Sequence, residues 1–383
     1  ALKARGGKLV LIDPRLSETA QLASEHHFIR PGSDALFLLA LLQTIFEQGL
    51  ADPGHLAGFV EGLPQVEQAV ADFTPEFAAL HTGIDADTIR RIAGELAAAG
   101  AGICYGRMGV STQAYGALCQ WLIQVINIAT GNLDKPGGSL FTLPAVDTVA
   151  SSSPGGFARH RSRARALPEF DRELPVAALA EEITTPGEGQ VRALFTGAGN
   201  PVLSTPNGRQ LDSALEQLEF MVSLAPYLHE TTRHAAVILP PTSPLEHDHY
   251  DMAFHSNAIR NTARHSEAMF DKPEGSLHDW EIFAGLGRRV AEGLGREPQA
   301  AVPPHQIIDF GLQAGPYGER QGSEHALTLD KLRAHPSGID LGPLQSQLPG
   351  RLQTADRTLT CNTKEPLADL ARLRREFNRS HHG

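Results

Sequence analysis

The sequence predicts an α/β protein made of two successive strand–turn–helix units. Three observations carry this. First, the run Lys8-Leu-Val-Leu-Ile12 is apolar without alternation, which suits a strand buried on both faces of a parallel sheet. Second, it stops at Asp13-Pro-Arg15. A further turn, Phe28-Ile-Arg-Pro-Gly-Ser-Asp34, then opens a helix to about residue 48 that is apolar nearly all round. Third, the same logic returns after Val191. A strand at 193–196 meets the turn Gly197-Ala-Gly-Asn-Pro201, then a helix at 208–218 and strands at 219–223 and 235–239, the last ended by Pro240-Pro241. No exact repeat relates the halves.

The remaining elements follow from local chemistry. Residues 18–24 form a short element before a second strand at 27–30, and Ser33 or Asp34 caps the long helix. Thr74-Pro-Glu starts a helix, with Thr as cap and Pro in the first turn. Asp85 opens another, with Ile89, Ile92, Ala93 and Leu96 on one face and Gly100 at its end. A strand at 102–105 leads through the loop 106–112 to a helix at 114–129 that stops at Gly131. Residues 136–175 read as a long crossover loop, with Pro136-Gly-Gly, Ser151–Ser153, Gly155-Gly156 and the basic cluster Arg159-His-Arg-Ser-Arg-Ala-Arg165. That cluster could attract an anion or be a solvated connector. An amphipathic helix spans 280–293, and beyond Pro298 the pattern weakens to loops and short helices. The expected division is a first α/β dinucleotide-binding unit at 1–145, a crossover at 146–190, a second α/β unit at 191–300, and a loop-rich extension at 301–383.

Composition narrows the function. With 383 residues, 41% hydrophobic and 20% charged, the chain can bury a core of two domains or of one large unit. A net charge of −11 argues against nucleic acid as a partner. Three scattered cysteines, Cys104, Cys119 and Cys361, leave no basis for a disulfide framework, zinc knuckle or iron–sulfur cluster within the chain. No apolar stretch of about 18 residues predicts a membrane span. The start, Ala-Leu-Lys-Ala-Arg-Gly-Gly, and the stop at Gly383 suggest a fragment of a longer protein or a processed chain, with cytoplasmic location as the default.

Several turns have ligand chemistry, although each alone is also what an ordinary turn or cap looks like. The Asp13 carboxylate could accept from a sugar hydroxyl or a guanine edge. A helix N-terminus at Gly32-Ser-Asp34 suits a phosphate. Both would lie at the carboxyl edge of neighbouring parallel strands, and that shared placement favours a binding role. In the 106–112 loop, glycine permits close backbone approach and Met108 offers contact for a flat ring. Asn200 can both donate and accept toward a base or pterin edge, and Pro201 fixes its turn. Glu246-His-Asp-His249 resembles a metal site in composition, but no third ligand pair accompanies it, so a polar bend is the better reading.

In order and spacing these turns resemble the dimethyl sulfoxide reductase family of molybdopterin oxidoreductases, with formate-dehydrogenase-like large subunits nearest. The resemblance runs from Lys8 to about Gly293. It includes Ile12-Asp-Pro-Arg15, Thr19, Pro31-Gly-Ser-Asp34, Met108-Gly109, Thr130-Gly-Asn-Leu-Asp-Lys-Pro-Gly-Gly138, Gly199-Asn-Pro201, Glu230-Thr231, Val237-Ile-Leu-Pro240 and His278-Asp-Trp280. It implies two Rossmann-like three-layer α/β units and a bis-molybdopterin guanine dinucleotide carrying molybdenum or tungsten. Asp13, Arg15, Thr19, Gly32, Ser33 and Asp34 would hold the guanosine end of one dinucleotide. Met108, Gly109 and Thr112 would line the path to the pterin. Asn200, Pro201, Ser204, His229, Glu230 and Thr231 would border the other dinucleotide.

The chain departs from the family where Ala225 and Ala236 replace common acids, and where only Asn257 and Arg260 remain of an Asn-x-Glu-Gly-Arg pattern. The family's iron–sulfur domain with its 4Fe-4S cluster, the metal-ligating residue and the C-terminal β-barrel would lie outside this chain. No residue here is assigned to catalysis or to the metal. The expected partners are those missing domains, a small-molecule substrate and an electron-transfer subunit. The resemblance thus predicts the cofactor-binding centre of a two-electron oxidoreductase, inactive alone. The alternative is a structural subunit or degenerate paralogue. A nicotinamide dehydrogenase is disfavoured, because no Gly-x-Gly-x-x-Gly follows the first strand.

Overall fold

A computed structural model describes residues 2–151 and 156–379. Ser152, Ser153 and Gly155 of the crossover, and the final Ser-His-His-Gly, lie outside the described residues. The chain divides into two compact units, 1–141 with 344–383, and 142–343.

In the first unit, β1 (Val10–Ile12) pairs in parallel with β2 (Glu25–His27) through α1 (Glu18–Leu22). Ser17 caps α1, its hydroxyl accepting from Ala20 N at 3.3 Å. The β2 strand begins two residues earlier than the sequence suggests, and β1 is half-buried rather than buried on both faces. Next comes α2 (Asp34–Glu47), whose residues from Ala35 to Ile45 are all buried. Leucine and alanine dominate and no Gly or Pro interrupts, so helix propensity and burial agree. After β3 (Val60–Glu61) and α3 (Leu63–Val70), the helices α4 (Pro75–Thr82) and α5 (Ala86–Ala98) start where Thr74 and Asp85 accept from Phe77 N at 3.3 Å and Thr88 N at 2.7 Å. The turn α6 (Met108–Ser111) precedes α7 (Gly116–Ala129), and α4, α5 and α7 all pack on α2.

The expected strand at 102–105 does not form. Its backbone is satisfied by side chains instead. Asn127 on α7 accepts from Cys104 N at 2.9 Å and donates to Cys104 O at 2.8 Å, as a neighbouring strand would. Asn132 accepts from Gly102 N at 3.3 Å. A pattern of apolar residues cannot distinguish these partners from a ladder.

The second unit opens with the turn α8 (Thr148–Ser151). The segment read as a crossover loop contains an antiparallel ribbon, β4 (Phe157–Arg161) and β5 (Pro168–Phe170). Its basic cluster is largely committed. Arg159 pairs with Glu169 at 3.0 Å, Arg163 with Glu182 at 3.6 Å, Arg165 with Glu181 at 3.7 Å, and Arg161 donates to Ala166 O at 2.9 Å. Charges met by carboxylates exert little long-range pull, so the cluster is a staple rather than an anion funnel.

Beyond α9 (Leu179–Thr184), the strands β6 (Ala193–Gly197), β7 (Phe220–Leu224) and β8 (Val237–Leu239) form a parallel sheet in that order. The connections carry α10 (Pro201–Ser204) and α11 (Gly208–Leu215). Ile183, Leu211, Leu215 and Met221 fill the space between the sheet and helices α9 and α11. A second small core gathers Ala263, Leu312, Leu327 and Leu332. It is built from β10 (Asn261–Ala263), α13 (Pro304–Ala314), α14 (Leu329–Arg333) and β12 (Ile339–Gly342), with β9 (His249–Tyr250) and β11 (His265–Ser266) beside them, whereas α12 (Asp279–Gly293) meets β6 through Phe283 and Phe195, 5.5 Å between ring centroids. Of these strands β9 pairs with β11 and β10 with β12, both antiparallel.

The last residues return to the first unit. There β13 (Leu359–Thr360) lies parallel to β3 and α15 (Lys364–Arg379) packs on α3 and α7. Gly62, at φ +86°, has no room for a Cβ because Asn362 presses against it. Trp121 donates to Cys361 O at 2.9 Å, and the Arg372 guanidinium sits 4.1 Å from the Tyr115 ring centroid. The buried Asp134 carboxylate accepts from Gln347 N and Leu348 N, each at 2.7 Å. The sequence reads this region as loops and short helices, yet α15 is the longest helix of the chain's described residues. No described helix is long and apolar enough to cross a membrane.

Replacing Asn127 by Ala removes two buried hydrogen bonds and strands both backbone groups of Cys104. Urea denaturation followed on the first unit should show a loss of about 2–4 kcal/mol. A variant as stable as the parent would mean that water replaces the amide.

Candidate functional site

In the first unit the two predicted turns meet at one edge. Because β1 and β2 run in parallel, Asp13 and the 28–34 segment both emerge at their carboxyl ends. Asp13 N continues the ladder to His27 O at 3.2 Å, and His26 Nε2 lies 3.0 Å from Asp13 O. The Asp13 carboxylate accepts from Arg15 N at 2.7 Å through Oδ1, which orients the turn. Arg15 and Thr19 are exposed beside it. Gly32, at φ +86°, takes a left-handed turn with open space around it.

Ser33 occupies the cap position of α2, but its hydroxyl donates to Arg30 O at 2.7 Å and makes no cap bond. Asp34 follows. Burial pushes its carboxyl above the usual range. The Gln113 side chain and its own backbone N–H pull it back, and the Asp13 charge pushes it up again. Two carboxylates within electrostatic reach make a poor phosphate site. The arrangement suits a ligand that donates, such as a ribose hydroxyl or a guanine N–H edge.

Gln113 also ties in the third predicted segment, since its amide donates to Gly109 O at 2.7 Å. Thr112 donates to Met108 O at 2.8 Å, closing the turn of α6. The Met108 side chain is 64% exposed, and Gly109 has nothing near its missing Cβ. This stretch is thus an open, apolar-edged turn linked through Gln113 to the acids. The sequence reading missed Gln113. A polar residue one position past the Gly-rich loop was the available signal.

In the second unit the predicted residues form a closed network. Asn200 donates to Glu230 at 2.7 Å and accepts from the Thr231 hydroxyl at 2.7 Å. The Thr231 hydroxyl in turn accepts from Val202 N at 3.0 Å. Ser204 donates to Asn200 O at 3.0 Å, and Pro201 begins α10. His229 Nδ1 accepts from Thr231 N at 3.3 Å. The Asn200 amide holds the Glu230 carboxyl below its usual range, so the exposed Glu230 stays charged. Ala225, buried at the end of β7, offers no acceptor there. Ala236 N donates to Met221 O at 2.8 Å, so its backbone serves the sheet. Arg260 is held by Asp340 at 2.7 Å.

The cysteines stand apart from these turns in chemistry. Burial pushes the Cys104 and Cys119 thiols up to about 12 and Cys361 to about 11, which keeps them protonated and poor ligands. Among the described residues no group of three His, Cys, Asp or Glu side chains could hold a metal.

Residues 1–289 match the family described as molybdopterin oxidoreductase, and the chain belongs to that family. It is 24% identical over 303 residues to the F420-dependent formate dehydrogenase 1 subunit alpha of Methanococcus maripaludis, covering 76% of this chain and 44% of that protein. It is 28% identical over 313 residues to a nitrate reductase of Symbiobacterium thermophilum, covering 75% of this chain and 41% of that protein. The chain therefore spans less than half the length of these relatives. The acetylene hydratase of Pelobacter acetylenicus shares its fold with a TM-score of 0.65 at 16% identity, over 96% of this chain and 53% of that one.

Two predictions follow from these contacts. Asp34 has a raised carboxyl, so the folded state loses stability as pH rises from the ordinary Asp range through the folded value. Asp34→Asn should raise the urea midpoint at neutral pH and flatten its decline across mildly acidic pH. An unchanged pH profile would contradict this. Thr231→Val should cost the second unit about 1–3 kcal/mol in thermal or urea unfolding, because Val202 N and Asn200 Oδ1 both lose a buried partner.

Proposed function

We propose that this chain is the central cofactor-binding part of a molybdenum or tungsten oxidoreductase that uses bis-molybdopterin guanine dinucleotide. The observation that carries this is the acceptor pair Asp13 and Asp34 at one strand edge, beside open glycine positions and the exposed Met108 turn. The donor and acceptor set fits a guanosine end. Asp13 and Asp34 would accept from ribose and base, Thr19 and Arg15 would flank them, and Gly32 and Ser33 would shape the turn. Met108, Gly109 and Thr112 would border the ring system.

In the second unit, Asn200, Pro201, Ser204, His229, Glu230 and Thr231 would offer one exposed carboxylate on a rigid turn. The bound cofactor supplies the two-electron chemistry at its metal. The chain positions and desolvates it. On this reading the metal ligand, a 4Fe-4S cluster and the closing domain belong to the rest of a parent protein. A small-molecule substrate, such as the formate of the formate dehydrogenase relatives, and an electron-transfer subunit would be the parent's cytoplasmic partners, and this chain alone would be inactive.

The alternative reading is a structural subunit that keeps the fold without the metal. Ala225 and Ala236 favour it, because the second unit's network satisfies itself and lacks the acid common in the family.

The test is the molybdenum, tungsten and acid-released guanine content of the parent, made in a cofactor-competent host. About one metal and two guanines per chain are expected, and Asp13→Ala should lower the guanine content. Folded protein with neither metal nor guanine would establish the structural reading.

A further inference from the structure

We propose that α15 acts on the candidate guanosine edge from behind, with Arg372 and Glu376 as positioning residues that fix where Gln113 presents its amide. This rests on the proposed function, in which Asp13, Asp34 and the 108–113 turn form one site. The 344–383 segment supplies none of the residues assigned to that site, yet two of its side chains grip the turn.

The start of the turn is held from α7. The Gln120 amide donates to Gly106 O at 3.2 Å and to Ser111 Oγ at 2.9 Å. A Cβ on Gly116 would lie 2.0 Å from Ser111 O, so α7 begins in direct backbone contact with α6. Residues 112–115 belong to neither helix, and there α15 meets the chain. Arg372 Nη2 donates to Ala114 O at 2.8 Å, and the guanidinium lies over the Tyr115 ring. Tyr115 is 3% exposed. Burial pushes its hydroxyl up to about 12, so it keeps its proton and donates to Glu376 Oε2.

Arg372 and Glu376 are four residues apart, which places them on one face of the helix. Asp369 accepts from Arg372 Nε at 2.7 Å and from Nη2 at 3.1 Å, so the guanidinium plane is set before it reaches the turn. Leu370 and Leu373 are buried and attach the helix to the core. The polar pair therefore adds something other than docking. It fixes Ala114 and Tyr115, the two residues after Gln113. A shift there would carry Gln113 away from Gly109 O, to which it donates at 2.7 Å, and from the Asp34 carboxyl.

NMR of the whole chain labelled with nitrogen-15 glutamine tests this, the Gln113 side-chain signal being assigned from its loss in Gln113→Leu. With no guanosine present, Arg372→Ala and Glu376→Ala are expected to move that signal. Arg375→Ala, exposed on the same helix, should leave it in place. Glu376→Gln keeps an acceptor for the Tyr115 hydroxyl and should restore the parent signal. The two alanine variants should also weaken guanosine binding about tenfold, the loss expected for one hydrogen bond. A Gln113 signal unmoved in the alanine variants would overturn the proposal. So would parent-like guanosine affinity in them, or a Glu376→Gln chain that behaves as Glu376→Ala does. If Arg372→Ala fails to fold, the exposed Glu376 pair of variants carries the test. A parent chain that binds no guanosine would defeat the cofactor reading alone, because the Gln113 signal still decides whether α15 sets the turn.

Discussion

The burial of α2 on every side is the constraint on which the first unit depends. A helix with eleven consecutive buried residues cannot rotate or slide without exposing leucine, and each exposed leucine costs about 1.5–3 kcal/mol. Its N-terminus is therefore fixed, and Asp34 is fixed with it. Because α7 packs on the same helix, Asn127 is held where it can stand in for a missing strand beside Cys104. Gln113, just before α7, is held near Asp34. The candidate site is thus a consequence of core packing. Its acids sit close together because the helix beneath them has no freedom to separate them.

The two units solve the problem of presenting polar groups differently. In the first, two carboxylates lie near one another, and the Asp34 carboxyl is raised, mainly by its burial and to a lesser extent by the Asp13 charge. In the second, Asn200, Glu230 and Thr231 satisfy one another and present a rigid, charged turn at little cost. Strain of the first kind is what ligand binding can relieve. The second arrangement can form a wall for a ligand but gains less by meeting one. This asymmetry is consistent with the sequence departures at Ala225 and Ala236, which also fall in the second unit.

Local signals in the sequence located much of this fold. Thr74 and Asp85 start helices because their side chains compete for the first free N–H groups, and that chemistry needs no tertiary context. The apolar runs gave β1, α2, α7 and the strands β6 to β8 to within a few residues. The failures came where a distant partner decides the structure. Residues 102–105 read as a strand because they are apolar and extended, but their partners are two asparagine side chains. The basic cluster read as part of a long crossover loop, but glutamates from β5 and α9 pin it into a ribbon. The return of α15 to the first unit depends on contacts of Arg372, Trp121 and Asp134 that lie more than 200 residues away in the chain. For the site, the resemblance brought together Asp13, Asp34 and Met108–Thr112. It did not foresee that Ser33 turns back to Arg30, or that Gln113 is the link between the turns.

On the proposed function, the Asp13–Asp34 edge receives the donor edge of a guanosine. Photo-cross-linking of the intact chain with an azido-guanosine, followed by peptide mapping, tests it most directly. Labelled peptides containing residues 13–19, 32–34 or 108–113 are expected, with protection by guanosine and little protection by adenosine. Labelling confined to other peptides, or equal protection by adenosine, would contradict it.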